Sequence, residues 1–515
     1  MMGTEPNARQ PALFSYAVDL DARLSPDHLL RRVAAVLDLS FVLPAVRHCY
    51  GRCGNPSLDP RVVLKMMLLL FLYDIPSERE LMEQIGVRLD FLWFLGFDLD
   101  TTIPDHSVLS KARARWGGAV FEQLFVRLVS QCVAAGLVNG RLLHTDSTIV
   151  KADAHKDSVV SSSPELVSAL RQAYQAQEAK LQGLPPVSVD PEPAPQPPPK
   201  SSGPSASCLP VNQTHISTTD PEAELARNKS GVTELNYKDH RLVDDTHGVI
   251  TAVAATPSNV ADGSQLPALY EQHLATTGLQ RSDVTVAGDA HYGTASNYLF
   301  CQQQGVRAHL GEVKANVQQR GQLPLSQFVY EAAQDRLRCP QGHYLVLHQQ
   351  RPEQQTKTYL IEDAAHCADC PLRAQCTPSK RGRSIQRHVQ AELIEAARQQ
   401  AHSPAARYSL KRRRQVMERS FADAFNNHGA KKARWRGLGR QKIQSWLIAA
   451  VQNLRILLRQ QVRRSAAGAA AVAVNLVELV SLRAHEGCQA VGSVLRASFS
   501  AGSWVGGPVQ ARLEV

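Results

Sequence analysis

Apolar positions recur at helical spacing along the first quarter of the chain. Leu29, Leu30, Val33, Val36 and Leu37 share one face of a helix that Ser25-Pro26 is placed to start. Arg61–Tyr73 is apolar nearly all round, which predicts a helix buried in the middle of its domain. Ser77-Glu78-Arg79-Glu80 is a capping box opening another short helix, and Pro104-Asp105-His106-Ser107 opens a fourth that runs toward Trp116. The pattern predicts an all-α region over residues 15–135. Short helices with brief connections suit a helix-turn-helix-like DNA reader or a purely structural bundle, and periodicity leaves both readings open.

At Arg141 the period changes. Leu142, Leu143, Thr148, Ile149 and Val150 predict a strand that carries Asp146, and residues 161–182 read as a helix. Residues 184–210 form a Pro/Ser-rich linker that interrupts the strand pattern like an insertion. Thr233–Asp244 and Gly248–Thr256 then read as a strand pair joined near His247-Gly248, and Val284–Ala287 as a short strand ending at Gly288-Asp289. Strands followed by helices predict a mixed α/β sheet built from residues 138–183 and 211–335. A Cys-rich insertion, 336–380, separates these parts from a basic stretch, 381–460. Within it, residues 410–426 read as a helix, with Val416, Met417, Phe421, Ala424 and Phe425 available for burial. A later helix carries the stripe Ile443, Trp446, Leu447, Ala450, Val451, Leu454 and Leu458. The tail, 465–515, is rich in Ala, Gly, Val and Ser, lacks a clear period and is expected to pack poorly.

Composition narrows the class. The chain has 515 residues, 43% hydrophobic and 20% charged, which excludes wholesale disorder. Its longest apolar run, Met66–Tyr73, is far short of the roughly 20 residues that cross a bilayer. No basic stretch followed by an apolar core opens the chain, and ten scattered Cys argue against a disulfide scaffold; both point to a cytoplasmic protein with no membrane partner. The net charge of +10 is concentrated: Pro378–Arg464 holds 21 Lys/Arg against four acidic residues, net +17, so the remainder carries −7. Such a field suits nucleic acid, and Arg434-Trp435-Arg436, next to Lys431 and Lys432, is its candidate contact segment. The alternative is a solvated basic face.

Three carboxylates stand out by position. Asp146 lies within a strand, Asp289 at a strand end, and Glu418 on a helix in the most basic part of the chain. A carboxylate beside apolar strand residues is costly unless paired or bound to a cation, and two Mg²⁺ ions about 3.5–4 Å apart suit phosphoryl chemistry. Each acid also has a plain reading, as a turn or cap former or as one half of a salt bridge. Position alone does not select these three from 47 acids. Separately, Cys339, Cys367, Cys370 and Cys376 could close a tetrahedral Zn²⁺ site, with His343 and His366 as substitute ligands. Reduced structural thiols are the equal alternative.

The contexts of the three acids resemble the DDE transposases of bacterial insertion sequences, over about residues 15–460. The helical region holds Ser77-Glu-Arg-Glu-Leu and Ile103-Pro-Asp-His-Ser-Val-Leu-Ser-Lys. Thr145-Asp146-Ser147-Thr148 is similar to the first aspartate motif, and Gly288-Asp289-Ala290-His291-Tyr292-Gly293 to the second. Arg414-Gln-Val-Met-Glu418-Arg-Ser-Phe421 is similar to the glutamate segment, and Asn453-Leu454-Arg455 to the closing helix. In the wider Tyr-x2-Arg-x3-Glu-x6-Lys signature Arg414 matches, but Lys411 and Phe425 occupy the Tyr and Lys positions, leaving Lys431 or Lys432 to replace the lysine.

The resemblance implies a ribonuclease-H-like mixed sheet flanked by helices and preceded by an all-α DNA-binding domain. It implies metal-dependent cleavage at terminal inverted repeats followed by strand transfer into target DNA. Asp146, Asp289 and Glu418 would hold two Mg²⁺ or Mn²⁺ ions, double-stranded DNA would be the partner, and a homodimer would join two ends. A catalytically inactive DNA-binding protein derived from a transposase is the main alternative, and a stand-alone nuclease a third.

Overall fold

In the computed structural model, which describes residues 18–51, 57–181, 210–227, 231–311 and 322–461, the N-terminal region is organised by one buried helix, Pro60–Leu72. Asp59 caps it by accepting from the Arg61 amide at 2.8 Å, and Pro60 fills the first turn, where no amide donor is needed. Nine of its thirteen residues are buried, as its apolar composition predicts. Against it pack Val42–Val46, Glu78–Val87, Leu89–Leu95 and Ser107–Trp116, while Leu29–Val36 packs on Leu89–Leu95 and Ala119–Ala134 on Val42–Val46. Ser77 Oγ accepts from the Glu80 amide at 3.1 Å, so the capping signal read from sequence operates. The first of these helices starts later than Ser25-Pro26 suggests, because His28 supplies its cap through Nδ1.

The second architectural element is a six-stranded mixed sheet. Its strands are β1 (Leu142–Lys151), β4 (Glu224–Arg227), β5 (Thr233–Asp244), β6 (Ile250–Pro257), β7 (Thr285–Gly288) and β8 (Arg307–Leu310); β2 (Val159–Ser161) and β3 (His215–Ser217) form a separate pair. The order is β4-β5-β1-β7-β8, with β6 also paired to β5. β5 runs antiparallel to β1, β4 and β6, whereas β1, β7 and β8 are parallel. Helices Leu266–Thr277 and Ala295–Gln303 supply the parallel crossovers and pack on one face, around Leu143, Leu242, Val286, Tyr298 and Leu310. Helix Pro404–Asn427 lies over β1, β7 and β8. It begins six residues before the helix read from apolar spacing, because Ser403 caps it and Pro404 fills its first turn. A further helix begins at 438, and its Asn453 pairs with both backbone polar groups of Ile250 at the start of β6.

Residues 322–388 build a third element that the sequence pattern does not reveal. Strands β9 (Val329–Glu331), β10 (Arg336–Arg338), β11 (Tyr344–Arg351), β12 (Thr356–Ile361) and β13 (Ser384–His388) form an antiparallel sheet. β11 is exposed on both faces from Val346 to Arg351, and β9 and β10 are three residues each, so the apolar alternation is too sparse to read. The chain divides into two units, Met1–Ile456 and Leu457–Val515; in the second, 457–461 are helical. The Pro-rich stretch through residue 209 and the tail 465–515 lie outside the described residues. Among the described residues no helix is long and apolar enough to cross a membrane.

Burial holds His240 and His273 neutral, pushing each pKa down to about 4. The unfolded chain binds these protons at about 6.5, so stability should fall as pH drops from about 6.5 toward 4, by up to about 3 kcal/mol per histidine. Urea midpoints followed over that window should decline, and His240→Gln or His273→Gln should flatten the decline.

Candidate active site

The parallel register of β1 and β7 sets the two aspartates side by side. His144 lies opposite Ala287, and two residues further along each strand direction come Asp146 and Asp289. Equal offsets leave both on one face of the sheet. Asp146 Oδ1 accepts from the Ser147 amide at 2.8 Å, and Asp289 caps the turn Ala290–Tyr292 by accepting from the His291 amide at 2.9 Å. Burial pushes the Asp146 carboxyl above its ordinary range; the Arg413 guanidinium opposes this and the Asp289 charge adds to it.

Close packing behind Asp289 fixes its loop. A Cβ on Gly293 would stand 2.0 Å from the Gly311 carbonyl oxygen, so only glycine lets the loop touch the end of β8. Tyr292, from the same motif, is fully buried, and burial raises its pKa, with Asp262, Asp146 and Asp289 reinforcing the rise. Asp262 is therefore a third acid near this point. Burial acts to raise it, but Lys238, 2.9 Å away, together with Ser147 and His240 holds it below the usual carboxylate range. Neither Asp262 nor Arg413 is singled out by sequence position: Asp262 sits in an ordinary turn, and Arg413 is one of four consecutive basic residues.

The face bearing Asp146 is covered by helix Pro404–Asn427 through polar contacts. His309 Nδ1 meets Ser409 Oγ at 2.9 Å, Arg412 Nε donates to Asp245 Oδ1 at 2.7 Å, and Arg413 Nη1 donates to Asp146 Oδ2 at 2.6 Å. Further along, Arg241 Nη1 donates to Ser420 Oγ at 3.0 Å and to Gln452 Oε1 at 2.8 Å, while its Nε reaches buried Asp239 at 2.7 Å. Glu418 occupies the same helix but another side. Five residues beyond Arg413, it lies about 140° round and about 7.5 Å along the axis. It is exposed, in line with exposed Lys411 and Arg414, and makes no hydrogen bond or ion pair among the described residues. Among those residues no group of three or more His, Cys, Asp or Glu is poised to hold a metal ion. The structure thus brings Asp146 and Asp289 together and leaves Glu418 facing solvent.

The basic residues divide similarly. Lys431 and Arg414 are exposed. Lys432 pairs with Asp153 at 2.6 Å, and Arg436 reaches the same carboxylate at 3.5 Å. Arg434 is turned inward to Asp74 and the Ile75 carbonyl, over the Phe71 ring. Trp435 Nε1 donates to Glu78 at 3.1 Å, and the buried Arg113 guanidinium, itself paired with Glu78, stacks 3.9 Å from the indole. Arg434 and Trp435 therefore dock the C-terminal segment onto the N-terminal helices, a use that a run of basic residues does not disclose. The four Cys named from sequence share one small cavity. Burial raises the Cys376 thiol against the pull of Arg383, and Cys367, Cys370 and Cys339 add to the rise.

Residues 18–115 match the family described as Transposase domain (DUF772), and residues 338–458 match the Transposase DDE domain family. The second match includes Glu418 and the four Cys but neither Asp146 nor Asp289. No curated protein matches. Among solved structures, the chain is similar to Mos1 transposase in a paired-end complex with the left transposon end, at 12% identity, and to a pre-cleavage Mos1 transpososome, at 10%. Each match covers 50% of this chain and 61% of the Mos1 chain, with a TM-score of 0.15, too low to bear on the fold.

Arg241→Met would leave Asp239 buried without its partner and should cost about 3–5 kcal/mol of stability. Lys432→Ala, which breaks an exposed pair, should cost at most about 1 kcal/mol. Urea denaturation of the two variants beside the parent measures the contrast.

Proposed function

We propose, for a chain that its two matched domains place among the DDE transposases, that it cleaves DNA at transposon ends and joins the freed 3′-hydroxyl to target DNA. The observation that carries this reading is the proximity of Asp146, on β1, to Asp289, which directly follows the adjacent parallel strand β7. The strand order β6-β5-β1-β7-β8, antiparallel on one side and parallel on the other, supports assigning a ribonuclease-H-like catalytic fold.

Two like carboxylates in a partly buried site fit one hard divalent cation, Mg²⁺ or Mn²⁺, which commonly binds through one or two carboxylates, with water and substrate phosphate completing its shell. Such an ion would lower the pKa of the attacking water and offset charge at phosphorus. Asp146 must be ionised to serve, and burial delays that to higher pH. Arg413 eases ionisation while occupying Oδ2, so it has to yield that oxygen as a ligand site forms. A second ion would need Glu418, which faces solvent here; the described geometry does not fit that ion, and no step is drawn through it. Arg414 and Lys431 supply exposed charge for DNA phosphates, with Lys432 and Arg436 available on release of Asp153. Double-stranded DNA is the partner, in the cytoplasm, with two copies of the chain holding two ends.

The outward Glu418 and the occupied Asp146 oxygen favour one competing reading, an inactive transposase-derived DNA binder. Divalent-metal-dependent joining of an end fragment to a plasmid decides between them, since the binder neither cuts nor joins. Asp146→Asn and Asp289→Asn should each abolish cleavage and leave end binding nearly intact, and undiminished cleavage by either removes that residue from the site; loss of cleavage in Glu418→Gln would show that the covering helix turns Glu418 toward the two aspartates in the reacting complex. Arg413→Ala withdraws the charge that lowers the Asp146 pKa. The half-maximal pH of Mn²⁺-dependent cleavage should therefore move up in that variant, and an unchanged profile would dissociate Arg413 from Asp146 ionisation.

A further inference from the structure

The antiparallel sheet of residues 329–388 has a very small core. Phe328, Leu337, Leu345, Tyr359, Ile361 and Ile385 are its buried residues, with Cys339, Cys367 and Cys376 packed against them. Elements this small usually need a staple in addition to apolar burial. Disulfides do not supply it, because Cys339, Cys367, Cys370 and Cys376 are all free thiols.

The four cysteines come from two separate pieces of chain. Cys339 follows β10 directly and begins a tight turn. Its amide donates to the His343 carbonyl at 2.8 Å, and the Gly342 amide, at φ +86°, donates back to the Cys339 carbonyl at 2.9 Å. Cys367, Cys370 and Cys376 lie on the turns between β12 and β13. Both pieces line one cavity of about 30 Å³, together with His343, His366 and Arg383. That is room for a single ion and little else. The approach is built in at Gly382, where φ is +79° and a Cβ would stand 2.4 Å from Ile361 Cγ2 and 3.1 Å from Cys367 Sγ.

An independent observation points the same way. Arg383 lines the cavity and is 6% exposed. Its Nη1 donates to the Cys376 carbonyl at 2.8 Å and to Gln322 at 2.9 Å, and its Nη2 to the Leu323 carbonyl at 3.2 Å. Its buried Nε has no acceptor among the described residues. A buried guanidinium with an unused donor beside this cavity leaves charge and hydrogen bonding both unmet. Thiolate sulfurs carrying the net negative charge of a tetrathiolate site would answer both.

We propose that Cys339, Cys367, Cys370 and Cys376 bind one structural Zn²⁺ ion as a tetrathiolate, with Arg383 as its buried counter-charge. The sulfurs surround the cavity without yet closing to ligating geometry, since no three such ligands among the described residues are poised to hold an ion. Closing to the Zn–S distance of about 2.3 Å requires the cysteine side chains to turn into the cavity. His343 and His366 stack on each other with centroids 4.1 Å apart and act as a cover instead of ligands. The site locks the β10–β11 turn to the β12–β13 connection, and it does not depend on the transposase reading.

The test uses the full chain purified without chelators. Elemental analysis should find about one zinc per chain, and Co²⁺ exchange should give the intense sulfur-to-cobalt charge-transfer band of an all-thiolate tetrahedral site. Cys370→Ser and Cys376→Ser should each lower zinc retention at least tenfold after mild chelation, and His343→Ala and His366→Ala should retain it. The proposal is overturned if the chain neither contains nor takes up zinc after reduction. It is also overturned if the four cysteines are oxidised to disulfides in the folded protein, or if either histidine variant loses zinc as a cysteine variant does. Because the unmutated chain's stoichiometry and cobalt spectrum decide the outcome, misfolding of a cysteine variant leaves the test intact.

Discussion

The parallel pairing of β1 with β7 is the constraint on which the site depends. It sets His144 against Ala287, and so brings two acids 143 positions apart (289 − 146) to one face of one sheet. A slip of one residue in either strand would send one carboxylate to the opposite face, among the apolar side chains around Leu143 and Val286. The register is held from both sides. β5 pairs with β1 along nearly its whole length, and the loop after β7 is pressed against the end of β8, where Gly293 and Gly311 leave no room for a side chain.

The face so defined is charged, and this governs how it is covered. Apolar contact alone would let helix 404–427 slide over the sheet, whereas the polar contacts name partners. Ser409, Arg412, Arg413 and Ser420 each have one, on β8, after β5, on β1 and on β5 respectively. Desolvated pairs such as Asp239–Arg241 give little net stability but are costly to break, so they fix the position of the helix more than they strengthen it. Arg413 has the most consequential place. It pairs with Asp146 and opposes the effect of burial on that carboxyl, linking the covering helix to the ionisation of the acid beneath it.

The basic stretch shows how far charge counting reaches. Its excess of +17 suggests an outward, polyanion-binding surface. Several of those charges are used within the fold: Arg412 on Asp245, Arg413 on Asp146, Arg434 on Asp74 and Arg440 on Glu178. Trp435, which reads as an aromatic among DNA-contacting arginines, lies beneath the Arg113 guanidinium and meets the Phe71 ring edge to face. Composition reports how many charges a segment has; the direction each one points depends on distant acids that the segment does not contain.

The sequence by itself determined the local elements. Asp59-Pro60, Ser77 with Glu80, and the stripes of residues 60–72 and 443–454 fix helices because caps and spacing act within about four residues. The strands carrying Asp146 and preceding Asp289 were legible for the same reason, as was the cysteine spacing. Tertiary structure alone decided which of these residues meet: Asp146 with Asp289 and Arg413, Arg434 with Asp74, Cys339 with three cysteines about thirty residues downstream. It also decided that Glu418 looks outward, since the rotation of a helix about its axis is set by what it packs against. Such contacts depend on strand register and helix docking, which arise from burial summed over many side chains, and no short stretch of sequence contains that sum.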